Sequence, residues 1–173
     1  MLPGGTVVAA AASDLPAAVS AIAGGAGLID LWDAGWQTVT EVRRRYPRVL
    51  ACAQADWAGL VRDPAAARRT GALLICAGPA AAAGAEAGGI GRGRILVEAG
   101  PARAASLIAA GWQVIVRADE VAGPHASAAV AALSCWLGAA AVRSRYVAAA
   151  RRAIDMAGSI SGTRPVPDGY ARL

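Results

Sequence analysis

The sequence predicts an α/β protein built on about seven parallel strands, each followed by helical sequence. Three observations lead there. Seven apolar runs recur at intervals of about 20–25 residues, with stretches of helical periodicity between them. The runs are continuous rather than alternating, as strands covered on both faces require. Nearly every run ends in a polar or charged residue just before a turn or helix signal. An open doubly wound sheet and a TIM-type (β/α) barrel both satisfy this pattern. At 173 residues the chain is short beside the roughly 250 of an ordinary barrel. The barrel reading is therefore a compact or truncated one, with one strand lost or irregular.

Taken in order, Thr6–Ala12 is the first run, and Ser13-Asp14 is a good N-cap for a helix near Leu15–Ile22. Leu28–Leu31 is the second strand, and a helix near Gln37–Arg45 follows it until Pro47 stops it. Val49–Ala53 is the third strand. A short helix around Ala58–Val61 and another over Pro64–Arg69 come next, then the fourth strand, Ala72–Ala77. The Ala/Gly-rich stretch Gly78–Gly93 reads as a short helix or a loop, and the lost strand is expected there. Arg94–Glu98 and Gln113–Arg117 are strands separated by a helix over Ala102–Ala110. After the Gly123-Pro124 break comes a helix of roughly Ser127–Leu137. The last strand runs from Ala139 to Val142 and the last helix from about Tyr146 to Met156. Residues 1–162 are read as one α/β domain, and 163–173, with Pro165 and Pro167, as a flexible C-terminal tail.

Composition narrows the partners. The chain is 56% hydrophobic and 17% charged, which suits a folded domain. Its net charge is +5, but it has no lysine, asparagine or phenylalanine, a bias that points to base composition more than to function. The arginines are scattered apart from Arg43-Arg44-Arg45, with no aromatic–basic alternation, so no nucleic-acid partner is expected. Cys52, Cys76 and Cys135 sit in apolar runs without CxxC spacing, beside a single histidine, His125. They read as buried small hydrophobes, with no metal and no cofactor expected. Val121–Val142 has no Asp, Glu, Lys or Arg. Its Pro124, His125, serines and many alanines nevertheless predict packing inside a domain rather than a membrane span. No charged segment followed by an apolar core opens the sequence, which predicts a cytoplasmic location.

In either architecture ligands bind outside the carboxyl ends of the strands. Those ends bring Asp30, Asp33, Gln54, Asp56, Glu98, Gly100, Arg117, Asp119, Arg143 and Arg145 to one rim, a setting for a polar, partly anionic small molecule. Arg143 and Arg145 stand out. They lie between a strand and a helix N-terminus, whose free N–H groups and dipole favour an anion, and guanidinium forks match phosphate or carboxylate.

The last 45 or so positions, from His125 through the Ile154-Asp155-Met156 segment, resemble the C-terminal end of dihydropteroate synthases, and especially a divergent actinobacterial homologue. The segment from Arg94 to Glu120 is similar to that family's sixth strand, helix and seventh strand. The resemblance implies a TIM barrel and condensation of a pterin diphosphate with p-aminobenzoate in folate synthesis, a transferase reaction. Its Arg-x-His diphosphate motif after the last strand falls on Arg143 and Arg145, with Arg in place of His. The aspartate of its Asp-Pro-Gly motif falls on Glu98, with Ala99 in place of Pro and Gly100 kept. The Asn-Asp pair of its fourth strand falls on Ile75 and Cys76, and its third-strand Asp-Thr near Ala53-Gln54. The seventh-strand lysine and first-strand asparagine have no counterpart in this composition, and the phosphate-binding loops after the first two strands are much shortened.

Removing that many paired hydrogen bonds costs a ring-recognition site several kcal/mol. The leading expectation is a degenerate synthase-like protein, a pseudoenzyme. It retains an anion or pterin-like ligand site at Arg143, Arg145, Glu98, Gly100, Asp30 and Arg117, or acts through a partner as a homodimer or heteromer. Alternatives are an authentic synthase, or another reaction on the same barrel with Glu98 or Asp30 as general acid or base. A third reading is a structural subunit that completes an open sheet against another chain.

Overall fold

The computed structural model describes residues 5–54 and 58–162. Among them, eight parallel strands form a closed barrel in sequence order. These are β1 Val7–Ala11, β2 Leu28–Asp30, β3 Leu50–Cys52, β4 Leu60–Val61, β5 Leu73–Cys76, β6 Ile95–Ala99, β7 Gln113–Arg117 and β8 Ala141–Arg143. β8 returns to β1, with Val7 opposite Ala141 and Ala9 opposite Arg143. The helices are α1 Leu15–Ala23, α2 Trp36–Arg45, α3 Pro64–Thr70, α4 Pro79–Ala87, α5 Pro101–Ala109, α6 Gly123–Trp136 and α7 Val147–Ile160. The barrel expectation holds. The expected tail, 163–173, and Asp56 lie outside the described residues.

Two expectations are corrected. Ala58–Val61 is not helical: Leu60 and Val61 form β4, which pairs with Cys52 on one side and with Leu73 and Leu74 on the other. A two-residue strand offers no periodicity, so neighbouring strands rather than local sequence define it. β4 is also the strand thought to be lost in Gly78–Gly93, a stretch that instead holds α4. With the barrel closed, the described residues leave no open sheet edge for another chain to complete.

The barrel is small because its parts are short. Strands run from two to five residues, and the shortest helix, α3, has seven. Prolines in the first turn start α1, α3, α4, α5 and α6, where a missing N–H costs nothing. Asp14 caps α1 by accepting from the Ala17 amide at 2.8 Å, and Asp63 caps α3 through Ala65 and Ala66. Gly25, at φ +96° after α1, is required twice over: its conformation disfavours side chains, and a Cβ there would fall 2.8 Å from Cγ of Arg151.

Alternation along each strand divides the core. Val7, Ala9, Leu28, Cys52, Leu60, Ile75, Leu96, Ile115 and Ala141 fill the barrel interior. Their neighbours, among them Ile29, Leu74, Ile95 and Val97, are buried in a separate cluster with residues of the surrounding helices, such as Ala18, Val39, Ala67 and Ala82.

Leu60 is fully buried in the barrel interior. Leu60→Ala should therefore cost about 2–5 kcal/mol in urea denaturation. A loss below about 0.5 kcal/mol, as on an exposed helix, would contradict the position of β4.

Candidate functional site

The alternation that fills the barrel also loads its mouth. Asp30, Arg62, Glu98, Arg117 and Arg143 each follow an interior residue by two positions: Leu28, Leu60, Leu96, Ile115 and Ala141. They therefore share the inward face, one layer nearer the carboxyl ends of the strands. Glu98 is only 7% exposed. Its Oε1 accepts from Nη2 of Arg62 at 3.1 Å and from Nη1 of Arg143 at 3.0 Å, and its Oε2 accepts from Nη1 of Arg62 at 3.3 Å. Arg62 Nη2 also donates to Asp30 Oδ2 at 2.6 Å. Asp30 Oδ1 accepts from the Trp32 amide at 3.2 Å. Arg143 reaches Asp119 at an ion-pair distance of 3.3 Å from Nε to Oδ2, though not in hydrogen-bond alignment.

The electrostatics follow from this geometry. Burial works against the Arg62 charge, but the hydrogen bonds to Glu98 and Asp30 outweigh it and hold its pKa above the ordinary value. All four oxygens of Asp30 and Glu98 accept a hydrogen bond, so both carboxylates are held in place by their neighbours. Burial pushes the Cys52 thiol up to about 12, with the Asp30 charge adding to it. Burial also raises the Cys76 thiol. Neither is a ready nucleophile. Among the described residues no group of three His, Cys, Asp or Glu could hold a metal ion, and no helix is long and apolar enough to cross a membrane.

Of the six site residues expected from sequence, Asp30, Glu98 and Arg143 meet in the mouth. Arg117 borders them but pairs with Glu120 at 2.7 Å. Gly100 precedes α5, and a Cβ there would fall 2.5 Å from Oε2 of Glu120, the movable end of a half-exposed side chain. Arg145 does not join this network and donates instead to the Asp119 carbonyl at 3.0 Å. Arg62, which links Asp30 to Glu98, is absent from the site expected from sequence, because a helix expected over Ala58–Val61 hides the strand end at which it sits. A signal was present. Leu60-Val61-Arg62 repeats the apolar-apolar-charged ending of Leu28-Ile29-Asp30, Leu96-Val97-Glu98, Ile115-Val116-Arg117 and Ala141-Val142-Arg143. The fourth-strand pair assigned to Ile75 and Cys76 shifts for the same reason. Those residues lie on β5, and the fourth strand is Leu60–Val61.

Beside the mouth, between α1 and the start of α7, lies a cavity of about 730 Å³. Ser144, Arg145, Val147, Ala148, Ala149 and Arg152 line its α7 side, and Asp119 is its one carboxylate. α7 has no side-chain cap, so its first-turn amides are not taken by one. The buried Ser144 hydroxyl fixes the turn into α7, accepting from the Tyr146 amide at 2.9 Å and sharing a 2.8 Å hydrogen bond with Ser127. Arg145 and Arg152 are exposed, and neither makes an ion pair among the described residues. Two available guanidiniums beside an uncapped helix N-terminus suit an anion.

No family model matches the sequence, and no curated protein matches it. Solved structures do. Mycobacterium tuberculosis Rv1207 has a TM-score of 0.75 at 25% identity, covering 95% of this chain and 94% of that one. Dihydropteroate synthase of Coxiella burnetii, in complex with pteroic acid, has a TM-score of 0.70 at 14% identity over 92% of this chain and 95% of its own. That of Anaplasma phagocytophilum, with bound 6-hydroxymethylpterin-monophosphate, has 0.69 at 13% over 90% and 99%. The barrel has the fold of the dihydropteroate synthases.

Removing Arg62 leaves Glu98 buried with Arg143 alone. Arg62→Met should lower stability by about 3 kcal/mol near neutral pH. Urea denaturation of the two proteins would measure the difference. Cys52 should resist iodoacetamide at about pH 8 until the protein is unfolded, as mass spectrometry of the alkylated chain would show.

Proposed function

We propose that this chain is a dihydropteroate synthase-like barrel that does not condense a pterin with p-aminobenzoate and that binds a phosphate- or diphosphate-bearing small molecule at the rim beside α7. The carrying observation is the filled mouth: Arg62 lies between Asp30 and Glu98, and Arg143 holds the other side of Glu98. Structures of the same fold hold pteroic acid or 6-hydroxymethylpterin-monophosphate. The second of these joins a flat hydrogen-bonding ring to a phosphate. In this chain the phosphate half finds Arg145, Arg152 and the α7 amides. The ring half meets carboxylates already bound to guanidinium groups.

The two halves differ in cost. Seating a phosphate at the rim displaces water from exposed guanidiniums and leaves the Arg62 ion pairs intact. Seating a ring in the mouth means parting Arg62 from two carboxylates, one of them buried, and a buried charge left without its partner costs several kcal/mol. Arg143 has two carboxylates to satisfy and serves the ligand less than Arg145 does.

The test is calorimetric titration and thermal shift with inorganic diphosphate and with a pterin diphosphate. Both should bind with similar affinity, and each should stabilise the fold by about 2.7 kcal/mol at 100 times its dissociation constant. Arg145→Ala and Arg152→Ala should each weaken binding about tenfold or more. Formation of dihydropteroate from pterin diphosphate and p-aminobenzoate would overturn the proposal, as would diphosphate binding that both variants leave unchanged.

A further inference from the structure

The cavity beside α7 is much larger than the anion it seats. Its volume of about 730 Å³ falls within the roughly 300–1,000 Å³ of sites that enclose a whole organic molecule. A diphosphate has the bulk of about six waters at roughly 30 Å³ each, and so fills about a quarter of the space. The remainder runs along α1. Ala17, Ser20, Ala21 and Gly24 line it at positions i, i+3, i+4 and i+7, one face of that helix, and Ala148 and Ala149 line it from α7. At Gly24 the two helices come together: a Cβ there would fall 3.3 Å from Cγ1 of Val147. The cleft is therefore narrowed at that end and open to water over Ala17 and Ser20, both exposed.

We infer that the organic part of the ligand is aliphatic, an inference that rests on the anion seat proposed above. The cavity takes a short alkyl or alkenyl phosphate ester, with its phosphate at Arg145 and Arg152 and its chain in the cleft between α1 and α7. The barrel mouth has no room for that chain, because Arg62 fills it together with Asp30 and Glu98. The chemistry of the cleft decides the rest. A sugar or a heterocycle needs several polar groups placed around it, and the α1 wall offers one polar side chain, Ser20. The Ser144 hydroxyl is committed to Ser127 and to the Tyr146 amide. Asp119, the one carboxylate, already faces Arg143. Alanine methyl groups ask for no hydrogen bond, and methylenes laid over them leave water without leaving a polar group unpaired. From Ala17 to Gly24 the wall is about 10 Å long at 1.5 Å per residue, room for a chain of roughly eight carbons. An ester of that length is a free small molecule. A membrane phosphatidate would keep its two tails in the bilayer and offer only its headgroup.

Calorimetric titration of the full chain with inorganic phosphate, butyl phosphate and octyl phosphate tests this. Inorganic phosphate reads the anion seat, and the gain with chain length reads the cleft. A fully buried methylene is worth about fourfold in affinity and a half-covered one about twofold, so octyl phosphate should bind roughly 16-fold more tightly than butyl phosphate. Ala17→Gln and Ser20→Gln, both at exposed positions, place a neutral amide in the cleft. Each should cut that gain to about threefold or less. Inorganic phosphate should bind both variants as it binds the wild type, which also shows that they are folded. Vesicles of phosphatidate and phosphatidylcholine should not carry the protein down on centrifugation. Octyl phosphate that binds no more tightly than inorganic phosphate would overturn the inference and leave the anion seat standing. A gain that both variants keep, or cosedimentation with the vesicles, would do the same. Absence of binding by inorganic phosphate and diphosphate alike would instead overturn the anion seat, and this inference with it.

Discussion

A buried carboxylate sets the terms for the rest of this barrel. Glu98 lies almost out of reach of water, and a charge so placed is tolerable only when fully paired. Arg62 and Arg143 supply the pairing from the ends of two other strands, and Asp30 and Asp119 hold those arginines in turn. Strands β2, β4, β6 and β8 are thereby tied at the mouth by charge as they are tied below by apolar packing. The shortest of them, β4, has two residues and gains most from the tie.

The same network bears on ligand chemistry. Barrels of this type place their binding groups at the carboxyl ends of the strands, and this chain puts acids and guanidiniums there in nearly balanced number. Charges that satisfy one another are poorly placed to recognise anything else, because a ligand must first break pairs that stabilise the fold. Polar capacity is left where the network ends, at the start of α7. There Arg145 and Arg152 face water and the helix begins without a side-chain cap.

Short elements explain how a barrel fits into this length. With strands of two to five residues and helices started by proline, the chain spends little sequence on turns. The interior is correspondingly slim, with Ala9 and Ala141 among its lining residues beside Leu28, Leu60 and Leu96. The outer ring is alanine-rich as well, which lets α6 and α7 lie close but leaves their outer edges marked by a few large residues that no neighbouring helix covers.

By itself the sequence determined the alternation of strands and helices, seven of the eight strands, and the gathering of Asp30, Glu98 and Arg143 at one rim. Apolar runs and period-two spacing are local properties, legible wherever a run exceeds two or three residues. It also carried a resemblance over its last 80 or so residues that agreed with the barrel. Tertiary structure alone decided that Leu60–Val61 is a strand, because two residues have no period and only Cys52 on one side and Leu73 on the other make them one. It alone decided that Arg62 belongs with Asp30 and Glu98, and Arg143 with Glu98 rather than with Arg145. Those partners lie 32, 36 and 45 positions apart, and only closure of the barrel brings them within hydrogen-bond reach.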